Sequence, residues 1–210
     1  MNSPDKIITN YLLQIKAIKL QPANHFTWSS GWFSPIYCDN RRTLSFPEIR
    51  TYIATQFVNI IQKKFEKVTT IAGVATGAIA HGALVADKLN LPFVYVRSSQ
   101  KSHGLENLVE GHLEKDSRVV VIEDLISTGN SSLKAVEAIR NAGAEVLGLG
   151  AIFTYNFDIA DEHFKTASCD YFTLSDYHVL IEMAVESGYI SEEDKETLKQ
   201  WRKDPANWKK

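Results

Sequence analysis

Cysteine is scarce in this sequence. Cys38 and Cys169 are the only two among 210 residues, and they lie far apart without the spacing of metal ligands. A disulfide framework needs several cysteines, and small zinc sites use closely spaced pairs. The sequence therefore predicts neither, and it favours a reducing, cytoplasmic environment.

Long hydrophobic runs and linker-like stretches are also absent. No apolar run approaches the length of a membrane span, and residues 1–6 lack the basic-then-apolar order of a signal peptide. No segment rich in proline, glycine and serine interrupts the chain. We therefore expect no membrane partner and a single domain over residues 1–210, which is long enough for one sizeable α/β core.

Neither sign of charge dominates, because 23 basic residues stand against 25 acidic ones and the net charge is -2. Proteins that bind nucleic acid concentrate positive charge on one face. We therefore expect no nucleic-acid partner, and any bound anion must be held by a local site.

The most informative stretch is Val119–Ser132. It begins with four consecutive β-branched residues, which is typical of a strand buried on both faces of a parallel sheet. It ends in small polar residues that lead into a helix: Ser127, Thr128, Gly129, Asn130 and Ser131. Unpaired N–H groups at a helix start favour a phosphate monoester. This 127–131 loop is therefore predicted to bind phosphate.

Glu123 and Asp124 stand directly before that loop. Carboxylates repel phosphate, so they must face something else. They could bind the diol of a sugar whose phosphate lies in the loop, or position Mg²⁺ through its water ligands. Helix capping is the alternative, but it explains an acid at a helix start and not the whole run.

A second strand-turn-helix unit precedes the first. Val68–Val74 has the composition of a buried strand, Ala75, Thr76 and Gly77 form a small-residue turn, and a helix over Ile79–Leu89 follows. The turn could serve tight packing instead of phosphate binding.

Two polar or aromatic segments complete the pattern. Residues 25–42 predict two short strands around a Ser-Ser-Gly turn, within a segment of about residues 20–45 that we call the hood. Its aromatic side chains could simply cover the core. The stretch 97–107 carries Arg97, Lys101 and His103 without periodicity, as a solvated surface loop also would.

The remaining segments alternate between helical and strand patterns. An amphipathic helix is predicted over residues 5–19, a helix begun by a Ser45–Glu48 capping box is predicted to run to about Phe65, and two helices are predicted near 175–187 and 191–202. Such alternation indicates an α/β fold with a central, mostly parallel sheet flanked by helices and joined by right-handed crossovers.

Three motifs resemble those of a known family. The 119–131 pattern resembles the phosphoribosyl-diphosphate (PRPP) signature of type I phosphoribosyltransferases. In the hood, Phe-Thr-x-x-Ser-Gly-x-x-Ser-Pro-Ile-Tyr-x-Asp-x-Arg is similar to the N-terminal segment of orotate phosphoribosyltransferases, and Arg-x-x-x-Lys-x-His-Gly after Val96 is similar to their mobile loop. The resemblance covers residues 20–190. It implies the type I fold and transfer of ribose 5-phosphate from PRPP to N1 of orotate, which gives orotidine 5′-monophosphate and pyrophosphate in pyrimidine synthesis.

The resemblance also implies roles for individual residues. The catalytic residues would be Lys101, His103, Glu123 and Asp124. PRPP would be bound by Arg97, Lys101, His103, Glu123, Asp124, Leu125, Ile126, Ser127, Thr128, Gly129, Asn130, Ser131, Ala75, Thr76 and Gly77, and orotate by Ser127, Arg41 and Ser29. No side chain would ligate a metal directly. Mg²⁺ would arrive with PRPP and contact Asp124 through water, and the 97–107 loop would close over the site of the neighbouring subunit in a homodimer.

The chain departs from the family pattern at three places. Ser98 and Ser29 stand where many relatives have lysine, and Thr154-Tyr155 stands where some have arginine. Cations at the position of Ser29 and at that of Thr154-Tyr155 would suit the carboxylate of orotate. In their absence, Arg41 or Arg42 could bind that carboxylate. Two alternatives stay open: a phosphoribosyltransferase for another base, and a PRPP-sensing regulator without catalysis, which should have a basic face.

Overall fold

The computed structural model describes residues 3–28, 30–98 and 108–208. The helices in these ranges are α1 Pro4–Gln14, α2 Pro47–Lys64, α3 Ile79–Leu89, α4 Asn130–Asn141, α5 Asp158–Thr166, α6 Tyr177–Glu186 and α7 Glu192–Lys203, with a 3₁₀ helix at Asn40–Ser45. The strands are β1 Ile18–Leu20, β2 Phe26–Thr27, β3 Phe33–Ser34, β4 Ile36–Cys38, β5 Thr70–Val74, β6 Phe93–Val96, β7 Val109–Glu110, β8 Arg118–Ile126, β9 Glu145–Thr154 and β10 Tyr171–Asp176.

The central sheet has six strands in the order β10-β9-β8-β5-β6-β7. All neighbours are parallel except β7, which pairs antiparallel with β6. Side chains of β8 alternate between two apolar clusters, with Val120 and Ile122 in one and Val119 and Val121 in the other. Both faces of the sheet are therefore covered, as the run of β-branched residues predicts. The predicted α/β fold is confirmed.

The order of the strands positions the site. From β5 the chain moves outward to β6 and then returns to place β8 on the other side of β5. In such doubly wound sheets, ligands bind at the carboxyl ends of the strands where the order reverses. The loops after β5 and β8 are the two that the sequence singles out as phosphate loops, and they lie side by side here.

The hood forms beside this edge of the sheet. β2 and β3 pair antiparallel across the turn, as predicted from the sequence. A second ladder joins β1 to β4. The predicted N-terminal helix is therefore wrong at its end, because α1 stops at Gln14 and Lys16 takes a left-handed φ of 56°. Ile18 continues the helical spacing, but its burial comes from the pairing with β4.

Two helix starts differ from prediction. Ser45 does not cap α2, because it ends the 3₁₀ helix and Phe46 takes the N-cap position. α6 begins at Tyr177 after Asp176, whose carboxylate accepts from the backbone N–H groups of His178 and Val179. α7 does begin with a capping box, made by Ser191 and Asp194.

Among the described residues, no helix is both long and apolar enough to cross a membrane.

Candidate active site

The acid pair lies inside the last part of β8. The strand runs on to Ile126, so Glu123 and Asp124 belong to it and do not follow it. Glu123 is 5% exposed, and its Oε1 accepts from the Asp124 backbone N–H at 2.9 Å. Its Oε2 accepts from Ser132 Oγ at 3.0 Å. Glu123 is thus fixed between β8 and the first turn of α4.

Burial makes both carboxyl groups of this pair harder to ionise. Burial raises the pKa of Glu123 well above its usual value, and the adjacent Asp124 raises it further. Burial likewise raises the pKa of Asp124. A positive charge placed beside the pair would favour ionisation, because an opposite charge stabilises the carboxylates.

The 75–78 loop approaches Asp124 closely. A Cβ atom on Gly77 would overlap the carboxylate of Asp124, so any larger residue at this position would force that carboxylate to move. Because of this close contact, the loop that follows β5 and the acid pair of β8 form one surface. In the same loop, the peptide between Ala75 and Thr76 is cis.

The 127–131 loop is supported from behind by α5. Gly129 caps α4 in a left-handed conformation with φ 81°, and a Cβ there would lie 3.0 Å from the Phe164 ring. His163 Nδ1 donates to the Thr128 carbonyl at 2.9 Å. The first N–H groups of α4 have no partner within the helix, and they remain available to an anion.

A cavity of about 650 Å³ lies between the hood and this loop. It is lined by Thr27, Trp28, Ser30, Trp32, Tyr37, Cys38, Leu125, Ser127, Thr128, Asn130 and Tyr155. The rings of Trp28 and Tyr155 are 5.1 Å apart. A flat ligand bound under the hood would therefore contact the 127–131 loop, which is predicted from the sequence to bind phosphate.

Comparison with known proteins agrees with this geometry. Residues 44–186 match the family model of the phosphoribosyl transferase domain. The chain belongs to the phosphoribosyltransferase family. It is 58% identical to an orotate phosphoribosyltransferase of Bacteroides thetaiotaomicron, over 99% of this chain and 98% of that protein. Identity to one of Porphyromonas gingivalis is 60%, over 99% of both chains.

A solved structure of the family has the same architecture. The crystal structure of an orotate phosphoribosyltransferase from Aeropyrum pernix superposes with a TM-score of 0.76 at 26% identity. The superposition covers 88% of this chain and 99% of the Aeropyrum pernix chain. The sheet described above is thus the phosphoribosyltransferase sheet.

Of the three residues predicted to bind the base in this phosphoribosyltransferase, one lines the cavity under the hood, one does not, and one is not described. Ser127 lines the cavity under the hood. Arg41 does not line it; its side chain is 59% exposed and its Nε donates to Asp39 Oδ1 at 2.6 Å. Arg42 Nε donates to the Ile15 carbonyl. Ser29 lies outside the described residues. Among the described residues that line the cavity, none is a lysine or an arginine.

The cations expected at the pyrophosphate end are only partly described. Arg97 follows β6, its backbone N–H donates to the Leu108 carbonyl at 2.9 Å, and its Nη1 lies 3.5 Å from Glu110 Oε1. That Nη1 atom is buried. It is close enough to Glu110 for an ion pair, but the two groups are not aligned for a hydrogen bond. With Ala75 and Ser131, Arg97 lines a cavity of about 300 Å³. Lys101 and His103 lie outside the described residues.

Two residues of the site were missed from the sequence. Tyr155, 2% exposed, stands at the position where some relatives have arginine, and Asn40 donates from Nδ2 to the Asp124 carbonyl. Asn40 lies between the Asp and Arg of the hood motif, and that position was the one signal in the sequence that could have indicated it.

Within the described ranges, no group of three His, Cys, Asp or Glu side chains could hold a metal ion.

Proposed function

We propose that this chain is an orotate phosphoribosyltransferase, a pentosyl-transferring enzyme that makes orotidine 5′-monophosphate from PRPP and orotate. The observation that carries the proposal is the juxtaposition of the hood cavity with two anion loops and an acid pair between them. The 127–131 loop would hold the 5′-phosphate, the 75–78 loop the pyrophosphate, and the cavity the base.

The reaction separates charge, and the site has a group for each sign. As the bond between C1 and pyrophosphate breaks, positive charge develops on the ribose ring. Burial raises the pKa values of Glu123 and Asp124, and in their ionised form the two carboxylates would stabilise a positive charge on the ring beside them. Asp124, whose carboxylate touches Gly77, is the member next to the pyrophosphate loop. Its oxygens would accept from the ribose hydroxyls.

The leaving group needs positive charge and N–H donors. Arg97, Lys101 and His103 would supply charge to the pyrophosphate, and the amides of Thr76 and Gly77 would donate to it. The Ala75 N–H, predicted for the same role, already donates to the Val96 carbonyl at 2.8 Å and is not free for the ligand. In this role we infer that the 97–107 loop acts on the partner subunit of a homodimer and excludes water from the reacting sugar. Cytoplasmic location fits the reduced state expected for Cys38 and Cys169.

Magnesium fits the donor set of this site. Mg²⁺ prefers oxygen ligands and often keeps several waters while bound to substrate phosphates. Asp124 offers carboxylate oxygens whose ionisation a divalent cation would favour. When bound with PRPP, Mg²⁺ would neutralise negative charge on the pyrophosphate.

The orotate carboxylate would be bound without a lysine or arginine from the described cavity lining. The side chains there that can donate hydrogen bonds include Ser127, Thr128 and Tyr155. Burial raises the pKa of Tyr155 well above its usual value, so its hydroxyl keeps its proton. Arg41 stays a prediction for this role, because its pair with Asp39 is exposed and costs little to break.

The test is the loss of orotate absorbance when the protein is mixed with PRPP and Mg²⁺. We expect loss only when all three are present, and no consumption of adenine, hypoxanthine or uracil under the same conditions. Consumption of one of these bases in place of orotate would assign the chain to another base. PRPP binding without turnover of any base would instead favour a regulator.

A further inference from the structure

A buried hydrogen bond joins the hood to the acid pair. Asn40, the first residue of the 3₁₀ helix, is 1% exposed, and its Nδ2 donates to the main-chain carbonyl of Asp124 at 2.6 Å. This contact fixes the peptide that follows Asp124. It therefore also fixes the direction in which the Asp124 side chain leaves β8.

The orientation of the Asn40 amide is set by its neighbours. Its Oδ1 accepts from Cys38 Sγ at 3.4 Å, while its Nδ2 faces the Asp124 carbonyl. The reversed amide would place two acceptors against each other at Asp124. Only the observed orientation satisfies both contacts.

The backbone of Asn40 is held as firmly as its side chain. Thr43 Oγ1 donates to the Asn40 carbonyl at 2.5 Å and lies 3.0 Å from His81 Nε2. A hydroxyl has one proton. Because Thr43 uses it on Asn40, Thr43 must accept from His81, and His81 must carry its proton on Nε2.

His81 is well suited to be a permanent donor. It is 1% exposed and lies in the first turn of α3, the helix that follows the 75–78 loop. Burial lowers its pKa to about 4, so the ring stays neutral at neutral pH. Its Nδ1 has no hydrogen-bond partner among the described residues, which leaves Nε2–H as its hydrogen-bonding group.

We propose that Asn40 is a positioning residue for Asp124, and that Thr43 and His81 hold Asn40 in place. The connected residues span the hood, the helix after the pyrophosphate loop and the acid pair. The position of the hood and the direction of the Asp124 side chain thus meet at one contact, the bond from Asn40 to the Asp124 carbonyl. The inference rests on the proposed function, since Asp124 is assigned its role there.

The first test is Asn40→Leu, which keeps the side-chain volume nearly constant and removes the donor. We expect kcat to fall by roughly 10²-fold, because small displacements of a positioned group can cost that much. An effect on folding alone would lower the unfolding temperature and leave the kcat of the folded fraction unchanged. If Asn40→Leu does not fold, Asn40→Ser, whose hydroxyl is too short to replace the amide, carries the same expectation.

A matched pair tests His81. The amide nitrogen of glutamine can reach the position of Nε2, whereas that of asparagine reaches only the position of Nδ1. We expect His81→Gln to retain most of the activity and His81→Asn to lose about as much as Asn40→Leu. His178→Asn, the same change at an exposed position on α6, should leave kcat unchanged.

A double variant decides whether the residues act through one contact. If His81 acts through Asn40, then Asn40→Leu with His81→Asn should be no slower than Asn40→Leu alone. Multiplied losses, or a kcat within twofold of wild type for Asn40→Leu, would overturn the inference. Failure of the proposed function is distinguishable, because the wild-type protein would then leave orotate unconsumed.

Discussion

At the scale of single residues, Glu123 is costly to the fold when it is ionised. Its pKa is raised in the folded protein by burial and by Asp124. Between the unfolded and folded pKa values the native state therefore binds more protons than the unfolded chain, and stability falls as the pH rises through the folded pKa.

Glu123→Gln should therefore stabilise the protein in a pH-dependent way. We expect a higher unfolding temperature than wild type at about pH 8, by roughly 2–4 °C for each kcal/mol of relief. The difference should vanish below about pH 4, where an unfolded glutamate is also protonated. Calorimetry across this range measures it, with the exposed Glu186→Gln as control. A gain that is independent of pH would contradict the explanation.

Gly77→Ala tests the contact between the 75–78 loop and the acid pair. The new methyl group would displace the Asp124 carboxylate. We expect kcat to fall by about 10²-fold. Gly188→Ala is the matched control: Gly188 has φ 70° and open space around it, so that variant should cost about 1 kcal/mol of stability and no activity. Equal activity of the two variants would rule out a steric role for Gly77.

At the scale of elements, α5 acts as the support of the 127–131 loop. The helix contacts the loop through the Phe164 ring at Gly129 and through the bond from His163 to the Thr128 carbonyl. Because that carbonyl belongs to the loop backbone, the bond fixes the direction in which neighbouring N–H groups point. We therefore expect α5 to influence phosphate binding without touching the phosphate.

His163→Gln and His163→Asn test this support. The amide nitrogen of asparagine can take the place of Nδ1, and that of glutamine cannot. We expect His163→Gln to raise the KM for PRPP by about 2- to 10-fold, the value of one hydrogen bond. His163→Asn should stay near wild type, and kcat should change little in both. Steady-state kinetics with varied PRPP measures this, and equal KM values for the two variants would contradict it.

Elements governed by local pattern could be predicted from the sequence. α3 has the predicted bounds Ile79–Leu89, and the strand-turn-helix units around β5 and β8 were found because turn residues and hydrophobic periodicity are local signals. β1 was missed because its partner β4 lies further along the chain. Helical spacing continued through Ile18, and only the antiparallel pairing decides that this residue is in a strand.

The candidate site likewise has parts that lie in contiguous motifs and parts that depend on contacts between distant residues. Both loops and the acid pair lie in contiguous motifs, so they could be placed beforehand. The bond from Asn40 to Asp124 joins residues 84 positions apart, and Tyr155 reaches the cavity from the end of β9. Neither contact leaves a periodic signal in the sequence. Arg41 was chosen for its charge, but its exposed pair with Asp39 depends on where the 3₁₀ helix turns the chain.

At the scale of the whole molecule, the C-terminal helix holds the hood against the sheet. Trp201 of α7 is fully buried, and its Nε1 donates to the Phe33 carbonyl at 3.2 Å. Its ring lies 5.6 Å from Trp28 and 5.8 Å from Tyr155, both of which line the cavity under the hood. The last helix of the chain therefore shapes a cavity whose other walls come from its beginning and middle.

The proposed sharing of active sites between the subunits of a homodimer is a prediction about the whole molecule. Lys101 is expected to act on the partner's pyrophosphate, and Asp124 is expected to act within its own subunit. Lys101→Ala alone should lower kcat by roughly 10²-fold, as loss of one charge-stabilising donor often does. Asp124→Asn should also be nearly inactive, because its ribose contacts and charge are lost. In the proposed homodimer of either variant, both sites would carry the same single defect.

Mixing the two variants distinguishes a shared site from a self-contained one. In a heterodimer with shared sites, the Lys101→Ala subunit would supply an intact Asp124 and receive Lys101 from its partner, so one site is complete and the other carries both defects. Random exchange of subunits gives half heterodimers, and we expect about a quarter of the wild-type activity. Steady-state assays before and after subunit exchange measure this. Activity no greater than that of the separate variants, with exchange verified by differently tagged chains, would show that Lys101 serves its own subunit.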